Sequence, residues 1–147
     1  MDSKSRKNKN GVSVELLIPF HDCDPMQIVW HGHYIKYLEI ARCELLDQFD
    51  YGCEKMRQSG YSWPVVEVRL KYVKPAQFGD KVLVHAHIIE WEHRIKVSYE
   101  IVNAQTGARL SKGYTVQVAV DLDTNEMCFE SPPIALEKFK LLAQDSI

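Results

Sequence analysis

The second half of the chain alternates apolar and polar residues with a period of two in four successive runs. The runs span positions 66–72, 82–88, 95–101 and 115–121, and short turn-forming segments separate them. Alternation of this kind is typical of strands with one face covered, and short connections favour antiparallel pairing. A further strand is expected over 12–20, nearer the N-terminus. The sequence therefore predicts an antiparallel sheet as its main element.

Only one long helical pattern is available to cover that sheet. Apolar residues recur at spacings of three and four from Tyr34 to about Phe49, and others lie beside this stripe. A helix with so little polar surface packs on more than one side. Because sheets curl as their strands twist, the order fits a curved antiparallel sheet wrapped around one long central helix, an α+β fold. A short amphipathic helix is expected over Ile134 to Leu142.

Length, charge and cysteine usage limit the class of protein. The chain has 147 residues and a formal net charge of −2, so we expect one domain over 12–147 after a flexible polar tail over 1–11. The near-neutral charge removes the main electrostatic argument for nucleic-acid binding. No apolar run reaches the roughly 20 residues of a membrane span. Four cysteines without a C-x-x-C pair favour free thiols in a reducing, cytoplasmic setting.

The predicted sheet also suggests how the chain assembles. An open sheet presents unpaired backbone groups along its edge strands, and such edges need protection. Edge-to-edge association of two copies would supply it. We therefore expect the chain to dimerise.

A loop rich in acidic and imidazole side chains precedes the long helix. It contains His21, Asp22, Asp24, His31 and His33. A helix N-terminus presents unpaired N–H groups and a partial positive charge, which can polarise a carbonyl and hold an oxyanion. A nearby carboxylate can attack that carbonyl or deprotonate a water that does. The loop is thus a candidate acyl-transfer site without serine or cysteine.

Two other interpretations of the acidic and imidazole side chains in this loop stay open. Aspartates often serve only as turn residues or helix caps. The pairs His31-x-His33 and His85-x-His87 could instead hold a metal ion. The sequence has neither a helical H-x-x-x-H pair nor a thiolate pair, so we predict no metal.

The segment from Asp22 to Tyr34, followed by Tyr37 to Arg42, resembles a signature of the 4-hydroxybenzoyl-CoA thioesterase family of hotdog-fold enzymes, including its YbgC-like acyl-CoA thioesterase branch. That signature combines an Asp-x-Asp, a short spacer, an apolar pair, an aromatic residue, often a His, and a Tyr that opens the long helix. A second match lies in 66–80, where a strand leads into Lys-Pro-Ala and Phe-Gly-Asp. The resemblance covers about 13–121 and implies the hotdog fold, assembled as a homodimer or homotetramer.

The resemblance implies an enzyme that hydrolyses the thioester of an acyl-CoA or an acyl carrier protein without a cofactor. It identifies Asp24 as the catalytic carboxylate, either nucleophile or general base, and His31 as a second catalytic group, with the helix N-terminus near His31 as the oxyanion site. Trp30 and Tyr34 are implied to line the substrate pocket. Gln27 stands where many members have glycine, so we expect it to influence substrate binding.

Other residues near these motifs receive different expectations. We expect Asp22 to support the loop, and Glu39 and Arg42, three apart on the helix, to form an ion pair or a dimer contact. Arg69 and Lys71, on the polar face of a predicted strand, could bind the phosphates of coenzyme A or phosphopantetheine. A solvated strand face is the alternative for these two cations.

Two other functions of such a fold stay open. A hydroxyacyl-thioester dehydratase or hydratase also sets an imidazole and a carboxylate against a thioester, although the Asp-x-Asp argues against it. A non-catalytic subunit that binds acyl thioesters is the other, and Gln27 keeps it open. A place in fatty-acid metabolism would suit any of these activities.

Overall fold

A computed structural model describes residues 3–7 and 10–143 of the chain. The strands are β1 (Ser3–Lys7), β2 (Gly11–Leu17), β3 (Tyr61–Ser62), β4 (Val65–Tyr72), β5 (Lys81–Glu90), β6 (Ile95–Asn103), β7 (Arg109–Gln117) and β8 (Val120–Asp121). Six of them form one antiparallel sheet in the order β1-β2-β5-β6-β7-β4, and β3 pairs with β8 separately. The main sheet therefore has β1 and β4 as its edges.

One long helix and three short ones accompany the strands in the described residues. They are α1 (Tyr34–Gln48), α2 (Cys53–Gln58), α3 (Pro133–Lys138) and α4 (Lys140–Ala143). The buried face of α1 includes Tyr37, Leu38, Ala41 and Leu45, and this helix packs on β5 and β2. Residues at these spacings lie on one side of a helix. The apolar spacing seen in the sequence is therefore the packing face of α1.

The strands of the sheet centre follow the alternation that predicted them. In β5, Val82, Val84, Ala86 and Ile88 are buried against the helix layer, whereas His87 on the opposite face is exposed. Successive side chains of a strand point to opposite faces. The core therefore lies between the sheet and α1.

Edge strand β4 is not covered in the same way. Its Leu70 contacts the core, which identifies the helix-facing side of the strand. Val68 and Tyr72 share that side by the period of two, yet they remain 41% and 46% exposed. Val66 lies at a register shift next to them and is also exposed. The chain thus has an apolar strip along one open edge of its sheet.

The ends of the chain differ from the sequence-based expectations. The segment 1–11 was expected as a flexible tail, but Ser3–Lys7 form strand β1 against β2. Pairing along β2 covers an edge that would otherwise expose its backbone groups. The C-terminal helix expected over Ile134 to Leu142 is interrupted at Phe139, giving α3 and α4.

The last predicted strand is also divided. The run 115–121 belongs to two strands, since β7 ends at Gln117 and β8 pairs with β3 outside the main sheet. The domain boundary at residue 12 stays a prediction.

Candidate active site

Asp22 is the buried anchor of the loop between β2 and α1. It is 1% exposed and accepts hydrogen bonds of 2.7 Å from both Lys36 Nζ and Tyr37 Oη of α1. Burial opposes its ionisation, but the bonds from Lys36 and Tyr37 outweigh burial and hold the pKa of Asp22 below its ordinary value. Its backbone oxygen also accepts from Trp30 N at 3.1 Å. Asp22 therefore fastens the loop to the long helix.

Asp24 closes a tight turn two residues later. Its Oδ1 accepts from Met26 N at 2.8 Å, and its backbone oxygen accepts from Gln27 N at 2.8 Å. Gln27 has a φ of 65°, in the left-handed region that favours glycine. In the described residues Asp24 Oδ2 has no hydrogen-bond partner. Asp24 is thus a turn residue, and within the described residues one of its carboxylate oxygens is not hydrogen-bonded.

A cavity of about 310 Å³ lies beside this turn. We call it the Asp24 cavity, and its lining residues are Asp24, Ile28, Val29, Trp30, His31, Tyr34, Tyr72, Val73, Lys74 and Pro75. It combines four of the residues singled out in the sequence with the end of β4 and the segment that follows. Gln27 contributes to the adjacent turn but not to the lining.

The start of the long helix has unpaired backbone donors beside this cavity, which His31 lines. A single 3₁₀ turn, His31–His33, precedes α1. Over the described ranges, the amides of His31 and Gly32 have no acceptor, as expected for the first residues of a helix. The Trp30 ring lies against Gly32, where an added Cβ would be 2.1 Å from Trp30 Cζ3. Two unbonded N–H groups therefore lie at the helix start, next to an aromatic ring.

Two tyrosines link the cavity to the following loop and strand. The Tyr34 hydroxyl accepts from Ala76 N at 2.9 Å, and burial raises the pKa of Tyr34 so that it stays protonated. The Tyr72 hydroxyl donates to the His31 carbonyl at 3.0 Å. Sequence reasoning did not assign Tyr72 to the site. Its position at the end of the strand in the second family match is the signal that could have found it.

The other predicted binding residues lie elsewhere. Arg69 and Lys71 line a separate cavity of about 410 Å³, together with Lys96, Lys112 and Tyr114. Lys71 and Tyr72 are neighbours in β4 and point to opposite faces of the sheet. Lys74, rather than Arg69 or Lys71, is the cation that lines the Asp24 cavity.

The remaining polar candidates have structural partners. Arg42 Nη2 and Glu39 Oε1 are 2.5 Å apart, which confirms the predicted ion pair. His85 Nδ1 lies 2.6 Å from Ser13 Oγ. Within residues 3–7 and 10–143, no group of three or more His, Cys, Asp or Glu side chains is arranged to hold a metal ion. In the same ranges no helix has the length and apolar character needed to cross a membrane.

Solved structures identify the class of fold. A 1,4-dihydroxy-2-naphthoyl-CoA thioesterase from Synechocystis superposes with a TM-score of 0.78 over 88% of this chain and 94% of its own, at 21% identity. The predicted hotdog fold, an antiparallel sheet with one long central helix, is confirmed.

Sequence comparison identifies the family. Residues 18–139 match the model of the thioesterase-like superfamily, so the chain belongs to that superfamily. A Bacillus subtilis protein named "Putative acyl-CoA thioesterase YneP" is 26% identical over 111 residues, which are 75% of this chain and 80% of that protein. A 4-hydroxybenzoyl-CoA thioesterase from Pseudomonas is 25% identical over 118 residues, 77% of this chain and 79% of that enzyme.

Proposed function

We propose that this protein hydrolyses an acyl thioester of coenzyme A or of an acyl carrier protein in the Asp24 cavity. One observation carries the proposal: Asp24, with an unbonded carboxylate oxygen, and His31, with an unbonded helix-start amide, line one cavity. Membership of the thioesterase-like superfamily supports it. The 4-hydroxybenzoyl-CoA thioesterase branch, with its YbgC-like members, is the branch we propose.

In the proposed reaction the thioester carbonyl oxygen accepts hydrogen bonds from the amides of His31 and Gly32. Developing negative charge on that oxygen is stabilised by these fixed donors and by the positive end of α1. Asp24 then either removes a proton from the attacking water or attacks the carbonyl itself, to give an anhydride that water cleaves. Both routes give the free acid and the thiol. The thiolate is a good leaving group and needs no strong acid.

The neighbouring side chains receive supporting roles in this proposal. The His31 imidazole faces the reacting carbonyl with Asp24. The protonated Tyr34 hydroxyl, whose oxygen is already fixed by Ala76 N, has a proton to donate to water or substrate. The exposed Trp30 ring packs against the acyl group, and Gln27 sets the shape of the turn beside it.

Two sets of cations, one lining the Asp24 cavity and one further from it, are available to bind the phosphates of the acyl carrier. Lys74 lines the cavity itself. Arg69 and Lys71 lie in β4, on the face of the sheet opposite Tyr72. They are therefore proposed for the more distant phosphates of coenzyme A or for an acyl carrier protein.

We also propose that two copies associate through β4. The strand is an edge of the sheet, and the apolar strip of Val66, Val68 and Tyr72 is open beside it. Pairing of β4 with its copy would satisfy the backbone N–H and C=O groups of the edge and cover the strip.

A cytoplasmic location is also proposed. All four cysteines are free thiols, which supports it. Fatty-acid metabolism is the proposed setting of the reaction.

Thiol release from a panel of acyl-CoA and acyl-carrier-protein thioesters tests the function. We expect turnover in the wild type and a loss of at least about 100-fold in Asp24→Asn. Asp80→Asn is the matched control, because Asp80 also accepts a turn amide, from Gln77, but does not line the cavity. Enoyl product without thiol would favour the dehydratase, and thermal stabilisation by acyl-CoA without any turnover would favour a binding subunit. Near-normal turnover in folded Asp24→Asn would contradict the assignment of Asp24.

A further inference from the structure

A third cavity, of about 420 Å³, lies further along α1. It is bordered by α1, α2, β3 and the ends of β4 and β7, and its lining includes Arg42, Met56, Tyr61, Trp63, Gln117 and Leu122. We call it the Arg42–Gln117 cavity. It shares no lining residue with the Asp24 cavity. The proposed hydrolysis therefore gives it no role.

Gln117 brings an unsatisfied acceptor to this cavity. The residue is 4% exposed, and its Nε2 donates to the Trp63 carbonyl at 2.8 Å. That bond fixes the amide orientation, since the reversed amide would set two oxygens against each other. The Oε1 atom is buried and has no donor. A buried acceptor without a partner is costly, so a donor from a bound molecule would be stabilising there.

Arg42 supplies donors without adding net charge. Its side chain is 9% exposed, and Nη2 donates to Glu39 Oε1 at 2.5 Å. A guanidinium has five N–H groups, so this ion pair leaves others for neighbouring acceptors. Because Glu39 already balances the charge, a second carboxylate would compete with it. The site accordingly suits a neutral acceptor better than an anion.

The remaining walls combine apolar side chains with Ser62 and with the exposed, mutually paired Glu54 and Arg57. The apolar part is held in place. Trp63 and Met56 are buried. Trp63 Nε1 donates to the Tyr51 hydroxyl at 3.1 Å, and the two rings meet edge to face. A ring fixed in this way offers a flat apolar surface to a ligand.

We propose that the Arg42–Gln117 cavity binds a neutral hydroxyl group carried on an apolar body. A small shift of the buried Gln117 side chain exposes Oε1 to the cavity, where it accepts the hydroxyl hydrogen, and the hydroxyl oxygen accepts from Arg42. Two molecules could bring this group: the far end of the acyl substrate, or a separate small alcohol or phenol. Arg42 lies eight residues after Tyr34, a rise of about 12 Å along α1. A ten-carbon acyl chain bound in the Asp24 cavity spans a similar length. This first source rests on the proposed function, whereas the second does not.

Binding is tested with 4-ethylphenol and with ethylbenzene, which lacks the hydroxyl. The indole N–H resonance of Trp63 in ¹⁵N-labelled protein reports occupancy of the cavity. We expect 4-ethylphenol to bind at least about tenfold more tightly than ethylbenzene. Gln117→Met should remove most of that difference, and Gln105→Met, in an exposed turn, should leave it unchanged.

A second variant keeps the test decisive if Gln117→Met does not fold. Leu122 is half-exposed and lines the cavity, so Leu122→Trp should fill the space and weaken binding of both compounds. Equal affinities for the two compounds, no shift of the Trp63 resonance, or unaltered binding in Leu122→Trp would each overturn the proposal.

Turnover distinguishes the two sources of the hydroxyl. For an acyl ligand, the ratio of kcat/KM for 10-hydroxydecanoyl-CoA to that for decanoyl-CoA should fall at least about tenfold in Gln117→Met. For a separate molecule, that ratio is the same in both proteins while 4-ethylphenol still binds. If 4-ethylphenol binds but no thioester is hydrolysed, the proposed function fails and this inference stands.

Discussion

The two aspartates of the loop before α1 lie two residues apart and have opposite surroundings. Asp22 is buried, with both carboxylate oxygens bonded to side chains of α1. Asp24 is partly exposed, with one oxygen on its own turn and the other facing no partner. Residues two apart share a face in a regular strand. The chain turns in this loop, so the two side chains do not share an environment. The comparison teaches that hydrogen bonding, rather than residue type, separates a support from a candidate nucleophile or base.

The largest effect on stability is expected at Asp22. We expect Asp22→Ala to lower the free energy of unfolding by about 2 kcal/mol, less than for a fully buried pair because Lys36 is partly exposed. Tyr37 would lose its acceptor inside the core. Urea denaturation measures the change, with Asp24→Ala as the control at no more than about 1 kcal/mol. Equal losses in the two variants would break the comparison.

Acid sharpens the same contrast. Because the pKa of Asp22 is lowered from 3.8 in the fold, its contribution to stability is present above that value and is lost as the pH falls through the folded pKa. We expect the unfolding free energy of the wild type to decline on acidification below about pH 5. Asp22→Asn should decline with a shallower slope in urea titrations over that range. Parallel slopes would show that Asp22 is not the group responsible.

A backbone change tests the Asp24 side of the comparison. Gln27, which closes the Asp24 turn, holds a φ of 65° that glycine adopts without a steric penalty. We expect Gln27→Gly to raise the unfolding free energy by about 1 kcal/mol, read from thermal unfolding. Gln58→Gly, at the end of α2, is the control and should lower stability. No gain in Gln27→Gly would mean that the turn carries no strain at this position.

The smallest effect is expected at Tyr72, which holds the helix start from the side of the sheet. Tyr72→Phe removes the hydrogen bond to the His31 carbonyl at an exposed position, so we expect a stability loss of about 0.5 kcal/mol. Thioester turnover should fall a few-fold, because the His31 amide next to that carbonyl is a proposed donor. Turnover of Tyr72→Phe equal to that of the wild type would remove Tyr72 from the site.

Local patterns predicted much of this fold. The expected helix from Tyr34 to about Phe49 agrees with α1, and the runs at 66–72, 82–88 and 95–101 lie within β4, β5 and β6. These elements bury one face each, so their periodicity is visible in the chain. Asp24 and His31, both named by the family signature, line one cavity, and their catalytic roles stay a prediction.

Features set by distant partners were not visible in the same way. Strand β1 depends on the open edge of β2, and polar sequence alone gave no sign of it. Arg69 and Lys71 had the right charge for a phosphate, but alternation turns them away from the Asp24 cavity. The unpaired oxygen of Gln117 results from the register of β7 and the position of Trp63. Such facts arise from contacts between elements, which a single-sequence pattern does not contain.

The hydrogen bonds that join the helix start to the strand and loop after β4 have a consequence for folding kinetics. Tyr72 to His31 and Ala76 to Tyr34 span 41 and 42 residues of chain. Loops of that length must close before these bonds form, and non-local contacts of this kind are made late. During refolding, α1 should therefore regain its circular dichroism before the Asp24 cavity exists. Recovery of turnover would then lag behind recovery of the helix signal. The lag would measure the time needed to bring the end of β4 and the following loop against the start of α1.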